Sequence, residues 1–192
     1  MKTPRFILAG PLVAALLLSL LPVYLAAASA NEEVIINFKD IRRERDGTMT
    51  KHYGYAYGDW DKHVVDLPHQ GSLVQARSNK GGIGENDPDL RFDETPVIEL
   101  VFLIGNANNA AAIGFGLADS DGTEQSWYIP FDGLAKGVEH RVRLDLAKCT
   151  TEDKPGKKPG LNLKKITSWQ IRGNWTEANV EVLLIKLVAP KS

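Results

Sequence analysis

A strict alternation of residue types near the middle of the chain places the strongest constraint on its fold. In the run VEHRVRLDL, residues 138–146, every second residue is apolar or aromatic and the residues between are charged. In a β-strand, a period of two puts the two classes on opposite faces. The run therefore predicts a strand with one face in a core and the other in solvent.

A strong turn signal precedes this strand. Ile113, Phe115 and Leu117 alternate with small residues, and the run leads into residues 119–122 (DSDG). Gly122 can adopt the positive φ that a tight reversal requires, so a β-hairpin is expected here. Further strand-like runs lie at 34–38, 63–67, 72–77, 161–172 and 180–188. The last two are expected to form a terminal hairpin.

Two segments break the strand pattern. Residues 78–95 are rich in Gly, Asn and Asp and predict a long exposed loop, and residues 147–160, with two prolines and several lysines, predict an exposed excursion. The remaining pattern is nine or ten short strands with no convincing helix. It is typical of an all-β fold, an antiparallel two-sheet β-sandwich of the jelly-roll type.

The N-terminus has the features of a secretory signal peptide. Lys2 and Arg5 precede a long apolar run that ends in the small residues 28–30 (ASA). We expect cleavage after residue 30, which leaves residues 31–192 as a single domain that is secreted or periplasmic and free of the membrane. An uncleaved membrane anchor is the alternative, because the run is long enough to span a bilayer.

Charge and motif content argue against several classes of function. Removal of Lys2 and Arg5 takes the formal net charge from −1 to −3, which does not favour nucleic acid or an anionic membrane as a partner. The single cysteine, Cys149, excludes an internal disulfide. The sequence shows no nucleophile elbow, zinc-ligand spacing or phosphate loop, so it predicts no enzyme activity, metal site or cofactor.

An aromatic strip is the predicted ligand site. Tyr53, Tyr55 and Tyr57 lie at i, i+2 and i+4, so in a strand their rings share one face and could stack on a sugar ring. Packing in the core or against neighbouring strands is the alternative. Trp60, at the end of the strip, is expected to be partly exposed and is the strongest single candidate. The other candidates are tryptophans and turn residues expected nearby: Trp127, Trp175, Asn106, Asn108 and Asp121.

Five motifs along the chain carry a family resemblance. They are INFKD (36–40), ADSDG (118–122), WYIP (127–130), HRVRLDL (140–146) and LKKITSWQI (163–171). Their order resembles that of the jelly-roll carbohydrate-binding modules and their galactose-binding-domain-like relatives, over nearly all of the mature chain. The resemblance implies a non-catalytic module that binds a polysaccharide or other glycan. Such modules commonly carry calcium with an acidic ligand in the last strand, but that strand here reads LLIKL (183–187), so no calcium site of this type is expected.

A second hypothesis assigns the same sandwich a different role. A periplasmic or cell-envelope domain could use it as a structural or protein-interaction surface, with an envelope protein as partner and no glycan ligand. Fold alone does not distinguish the two.

Overall fold

The computed structural model describes residues 32–40, 55–60, 63–67, 69–78, 80–173 and 177–190. In these ranges the chain forms twelve β-strands and one short 3₁₀ helix, Phe38–Asp40, and it has no helix long and apolar enough to cross a membrane. The strands are β1 (Glu32–Asn37), β2 (Tyr55–Gly58), β3 (Val64–Leu67), β4 (Gly71–Ala76), β5 (Gly81–Leu90), β6 (Val97–Ile104), β7 (Ala112–Asp119), β8 (Glu124–Pro130), β9 (Glu139–Asp145), β10 (Thr151–Lys154), β11 (Ile166–Gly173) and β12 (Val180–Pro190).

The strands form two antiparallel sheets. The first sheet has the order β3-β4-β12-β6-β9, with β1 also paired to β12, and the second has the order β10-β8-β7-β11-β5-β2. Among the described strands, only β3–β4 and β7–β8 are both consecutive in sequence and paired, because most connections cross from one sheet to the other. The jelly-roll β-sandwich predicted from the sequence is therefore confirmed.

The core lies between the two sheets and follows the strand alternation. Ile98, Leu100 and Phe102 of β6 face it from the first sheet, and Phe115 of β7 faces it from the second; all four are fully buried. The 3₁₀ helix after β1 adds Phe38, whose ring meets Trp169 edge-on at 6.3 Å.

Both central predictions from the sequence are confirmed. β7 and β8 form a hairpin, and Gly122 in its turn has φ of 90°. In β9, Leu144 is buried and Val142 is half-buried against the core, whereas Arg141 and Arg143 are exposed. Val138 lies before the strand and is 48% exposed, so the inward face begins at His140.

Three sequence predictions need correction. Most of the expected loop at 78–95 is β5, which lies inside the second sheet between β11 and β2. The expected terminal hairpin is wrong, because β11 and β12 belong to different sheets. The exposed excursion at 147–160 contains β10, a solvent-exposed edge strand paired with β8.

Candidate functional site

The outer face of the second sheet, turned away from the core, carries an unusual set of side chains. In β11, Trp169 and Ile171 are fully buried in the core, so Gln170 and Arg172 lie on the opposite face. An arginine on the outer face of a sheet is normally exposed. The Arg172 side chain is only 9% exposed, so other groups cover it.

Glycines flank these two polar side chains in both neighbouring strands. Arg172 pairs with Gly114 of β7 and Gly82 of β5, and Gln170 pairs with Gly116 and Gly84. A Cβ atom at Gly114 would lie 3.1 Å from Cγ of Arg172, and one at Gly116 would lie 3.0 Å from Cγ of Gln170. The β7 glycines thus let Arg172 and Gln170 lie flat against the sheet.

A polar cluster fixes the guanidinium group of Arg172. Its Nη2 donates a hydrogen bond to Oδ2 of Asp153 at 2.7 Å and another to Oγ of Ser126. Ser126, which is fully buried, also donates to Asp153. Asp153 comes from the edge strand β10, where the register with β8 shifts between Glu152 and Lys154, and its side chain is 27% exposed. The cluster is polar and balanced in charge.

Tyrosines lie at both ends of the row that contains Arg172. Tyr128 of β8 pairs with Gly114 and is half-buried, and its backbone N–H donates to Oγ1 of Thr150 at 3.0 Å. On the other side, Tyr57 of β2 pairs with Gly82, as Tyr55 does with Gly84. The row from Tyr128 to Tyr57 crosses five strands, a distance of about 19 Å. The side chains of Tyr55 and Tyr57, and all of Tyr53, lie outside the described part of the chain.

Two of the predicted tryptophans are core residues. The expected partial exposure of Trp60 is wrong, because its side chain is 1% exposed within the hydrophobic cluster between the sheets. Trp127 is 3% exposed, packs near the ring of Phe115 and donates from Nε1 to the carbonyl of Asp145 at 2.9 Å. Neither ring is available for stacking on a ligand. Trp175 lies outside the described residues.

The predicted polar residues lie at opposite ends of β7. Asn106 and Asn108 precede the strand and Asp121 follows it. Because β7 has eight residues, these groups are separated by about 25 Å and do not form one compact site. Asp121 lies in the hairpin turn, where its carboxylate accepts a hydrogen bond from the Asn162 side chain at 3.3 Å.

The two asparagines differ in their surroundings. Asn106 is exposed, whereas Asn108 is 3% exposed. The Asn108 side chain donates to the carbonyl of Ala110 and accepts from the backbone N–H of Glu181, both at 3.1 Å. The amide of Asn108 therefore organises its own loop rather than facing a ligand.

Sequence reasoning missed the residues at the centre of this face: Ser126, Tyr128, Asp153, Gln170 and Arg172. The signal was present for four of them. Tyr128 alternates with Trp127, and Arg172 alternates with Ile171, so the same pattern that sends one inward sends the other outward. The glycines that alternate in β7 were a further sign of close packing on that face. Asp153, in contrast, lies at a register shift that no local pattern predicts.

Metal coordination has no structural support in the described residues. No group of three or more histidine, cysteine, aspartate or glutamate side chains among them is placed to hold an ion.

Comparison with known proteins gives matches at the level of structure. No family model matches the sequence, and no curated protein matches it. The fold is similar to that of a family 11 carbohydrate-binding module from Clostridium thermocellum in complex with a β-1,3-1,4-mixed-linked tetrasaccharide (TM-score 0.60, 13% identity, 84% of this chain and 96% of that chain). It is also similar to the family 11 module of a cellulosomal cellulase of Clostridium thermocellum (TM-score 0.57, 12% identity, 84% and 95%).

A third structure has the fold as part of a larger protein. It is an agarase, with a TM-score of 0.58 and 12% identity, and the match covers 84% of this chain but 25% of the agarase. At these identities the likeness establishes the shared fold.

Proposed function

We propose that this domain is a non-catalytic carbohydrate-binding module that holds a glycan on the outer face of its second sheet. The observation that carries the proposal is the Arg172 cluster, a rigid and almost buried polar group in the middle of a sheet face that is lined by glycines. The resemblance to carbohydrate-binding modules in motif order and in fold supports the same conclusion.

The chemistry of this face suits an uncharged sugar chain. A sugar ring presents an apolar C–H surface, for which the half-buried ring of Tyr128 is a partner, and hydroxyl groups that both donate and accept hydrogen bonds. The amide of Gln170 and the carboxylate of Asp153 provide donors and acceptors at the same face. Because Asp153 neutralises Arg172, the cluster has no net charge to attract an anionic ligand.

The same cluster argues against hydrolysis of a bound glycan. Glycoside hydrolases commonly use a pair of carboxyl groups on either side of the scissile bond. The Arg172 cluster contributes one carboxylate, Asp153, and an ion pair engages it.

The proposal also includes export by the signal peptide at 1–30, because a secreted or periplasmic module would encounter polysaccharides outside the cytoplasm.

Binding to a polysaccharide panel tests the proposal. The panel includes mixed-linked β-glucan, since one structural neighbour was solved with a tetrasaccharide of that linkage, together with agarose. We expect Tyr128→Ala and Gln170→Ala each to weaken binding by about tenfold, or about 1.4 kcal/mol, in isothermal titration calorimetry or affinity electrophoresis.

Arg143→Ser is the matched control, because Arg143 is exposed on the outer face of the other sheet. It is expected to leave both binding and the melting temperature unchanged. Absence of binding to the whole panel, or equal binding by all three variants, would reject the proposed function.

A further inference from the structure

We propose a second sugar-binding site at the mouth of the sandwich, where the two sheets end. A cleft of about 370 Å³ opens there between the β6–β7 loop and the β8–β9 loop. Its size is within the range of small-ligand pockets. The class of ligand rests on the proposed function, but the cleft contains none of the residues of the Arg172 cluster.

The floor of the cleft is apolar. Ile104, at the end of β6, and Phe131, just after β8, are 1% and 8% exposed, and Ala110 and Leu134 complete the floor. Phe131 packs against Phe102 in the core, with ring centroids 5.9 Å apart. The floor thus continues the hydrophobic core to the surface, where the exposed Ala111 and the half-buried Leu134 offer an apolar patch to one side of a ligand.

Hydrogen bonds hold the wall of the cleft in place. The β6–β7 loop is attached to the start of β12, because the backbone N–H of Asn109 donates to the carbonyl of Asn179 at 2.9 Å and that of Gly105 donates to the carbonyl of Glu181 at 2.8 Å. The side chain of Asn108 adds the two bonds described above. A ligand would therefore enter a site that is already formed, which reduces the entropic cost of binding.

The rim carries donors and an acceptor. Nζ of Lys136 donates to the backbone carbonyls of Asn106, at 3.1 Å, and Asn108, and an ammonium group has a third N–H to offer. Oδ1 of Asn109 accepts from the backbone N–H of Asn179 at 2.6 Å, which leaves its side-chain amino group without a partner among the described residues. The carboxylate of Asp132, on the same rim, is exposed and accepts.

This arrangement fits one neutral sugar ring at the end of a glycan chain. The apolar floor matches the C–H face of the ring, and the rim groups match its hydroxyls. Lys136 and Asp132 have opposite charges, so the rim favours an uncharged ligand over an anion or a cation. The cleft begins at Ala111, three residues from Gly114, so it lies about 10 Å along β7 from the Arg172 row.

Titration of the ¹⁵N-labelled domain with methyl β-glucoside, methyl β-galactoside and methyl α-mannoside at millimolar concentrations tests the site. We expect at least one of the glycosides to shift the backbone amide signals of Asn109, Ala111 and Asp132. Asp132→Asn and Lys136→Met should each weaken that binding by about fivefold to tenfold, whereas Lys157→Gln, an exposed lysine outside the cleft, should not. Asp132→Asn is the decisive variant, because the side chain is exposed and forms no hydrogen bond or ion pair with another residue that the structure describes.

The outcomes separate this inference from the proposed function. Tyr128→Ala should weaken polysaccharide binding at the second sheet by about tenfold and leave the cleft signals unchanged. If no glycoside shifts the cleft amides while polysaccharide binding still depends on Tyr128, the second site does not exist and the proposed function stands. If the cleft amides respond but no polysaccharide binds, the cleft is supported and the Arg172 face is rejected.

Discussion

At the scale of single residues, Trp60 shows how packing outweighs an unpaired polar group. The backbone N–H of His63 donates to the carbonyl of Trp60 at 3.0 Å, closing the turn after β2, and the indole ring is buried in the core. Its Nε1 has no hydrogen-bond acceptor within the described part of the chain. Burial of a large aromatic ring contributes about 4–6 kcal/mol, whereas an unpaired donor costs about 1–3 kcal/mol.

Trp60→Ala should therefore lower the free energy of unfolding by about 3–5 kcal/mol. Trp60→Phe is the control, because it keeps most of the packing and removes the unpaired N–H, so its cost should be much smaller. Urea denaturation measures both. A loss below about 1 kcal/mol for the alanine variant would mean that the ring is not packed in the core.

The Arg172–Asp153 pair should respond asymmetrically to mutation. The Arg172 side chain is 9% exposed and that of Asp153 is 27% exposed. Asp153→Ala removes the carboxylate that neutralises a nearly buried cation and should cost about 3 kcal/mol or more. Arg172→Met leaves a carboxylate that water can reach and should cost about 1 kcal/mol. Urea denaturation of both variants measures the two losses in the free energy of unfolding. A larger loss for Arg172→Met would show that packing of the Arg172 side chain, and not its charge, makes the main contribution to stability.

Residue roles in the second sheet were predictable where alternation alone decided them. Trp127 and Ile129 are two positions apart and pair with the core residues Phe115 and Ile113 of β7, so Tyr128 between them lies on the outer face. Trp127 was predicted as a ligand residue because it supplies a flat aromatic ring, but the alternation of β8 places that ring in the core. Trp60, in contrast, follows a strand end, where alternation stops and no local pattern tells an exposed ring from a buried one.

At the scale of elements, β5 shows that a strand can form from residues with low intrinsic strand propensity. Gly, Asn and Asp are poor strand formers, and Ile83 is the single large side chain of its first half to reach the core. The strand exists because β11 and β2 pair with it on both sides. Gly82 and Gly84 of this strand lie beside Arg172 and Gln170 on the outer face. The glycine content that predicted a loop is therefore explained by contacts with β11, which is distant in the sequence.

The connection from β11 to β12 was also beyond local prediction. Two strands joined by a short segment usually pair with each other. β11 instead pairs with β5 and β7, and β12 pairs with β4, β6 and β1, so both are interior strands of separate sheets. The hairpin of β7 and β8 was predictable because both its alternation and its turn residues are local.

The register of β9 gives a test at this scale. Val142 pairs with Leu100 and packs against the core, so Val142→Asp should lower the free energy of unfolding by about 3 kcal/mol or more. Arg143→Ser, one position along on the exposed face, should stay within about 0.5 kcal/mol of the wild type. Thermal melts measure both. Equal tolerance of the two substitutions would mean that the inward face of β9 is the other one.

At the scale of the whole molecule, an ion network joins three strands of the first sheet to β1 on its outer face. Glu32 of β1 accepts hydrogen bonds from Lys186 of β12 and from Arg141 of β9, the latter at 2.7 Å, and Arg141 also bonds to Glu99 of β6 at 2.8 Å. The hydrogen bond from Lys186 lowers the pKa of Glu32 below its ordinary value, against the opposing effect of burial, and Arg141 lowers it further. The bonds to Glu99 and then Glu32 raise the pKa of Arg141.

The lowered pKa of Glu32 makes stability depend on pH in the acidic range. A carboxylate whose pKa is lower in the folded than in the unfolded protein stabilises the fold fully above the unfolded value, which is near 4.5, and this contribution is lost as the pH falls through the folded value. Glu32→Gln removes the contribution, so wild type and variant should differ most near neutral pH and converge in acid.

Urea midpoints of wild type and Glu32→Gln between neutral pH and about pH 3 measure this convergence. Glu33→Gln is the matched control, because Glu33 is the adjacent residue of β1, is exposed and has no ion pair within the described ranges. Its midpoints should run parallel to those of the wild type. A constant difference between wild type and Glu32→Gln over the whole range would show that protonation of Glu32 is not coupled to folding, and would contradict the lowered pKa of this group.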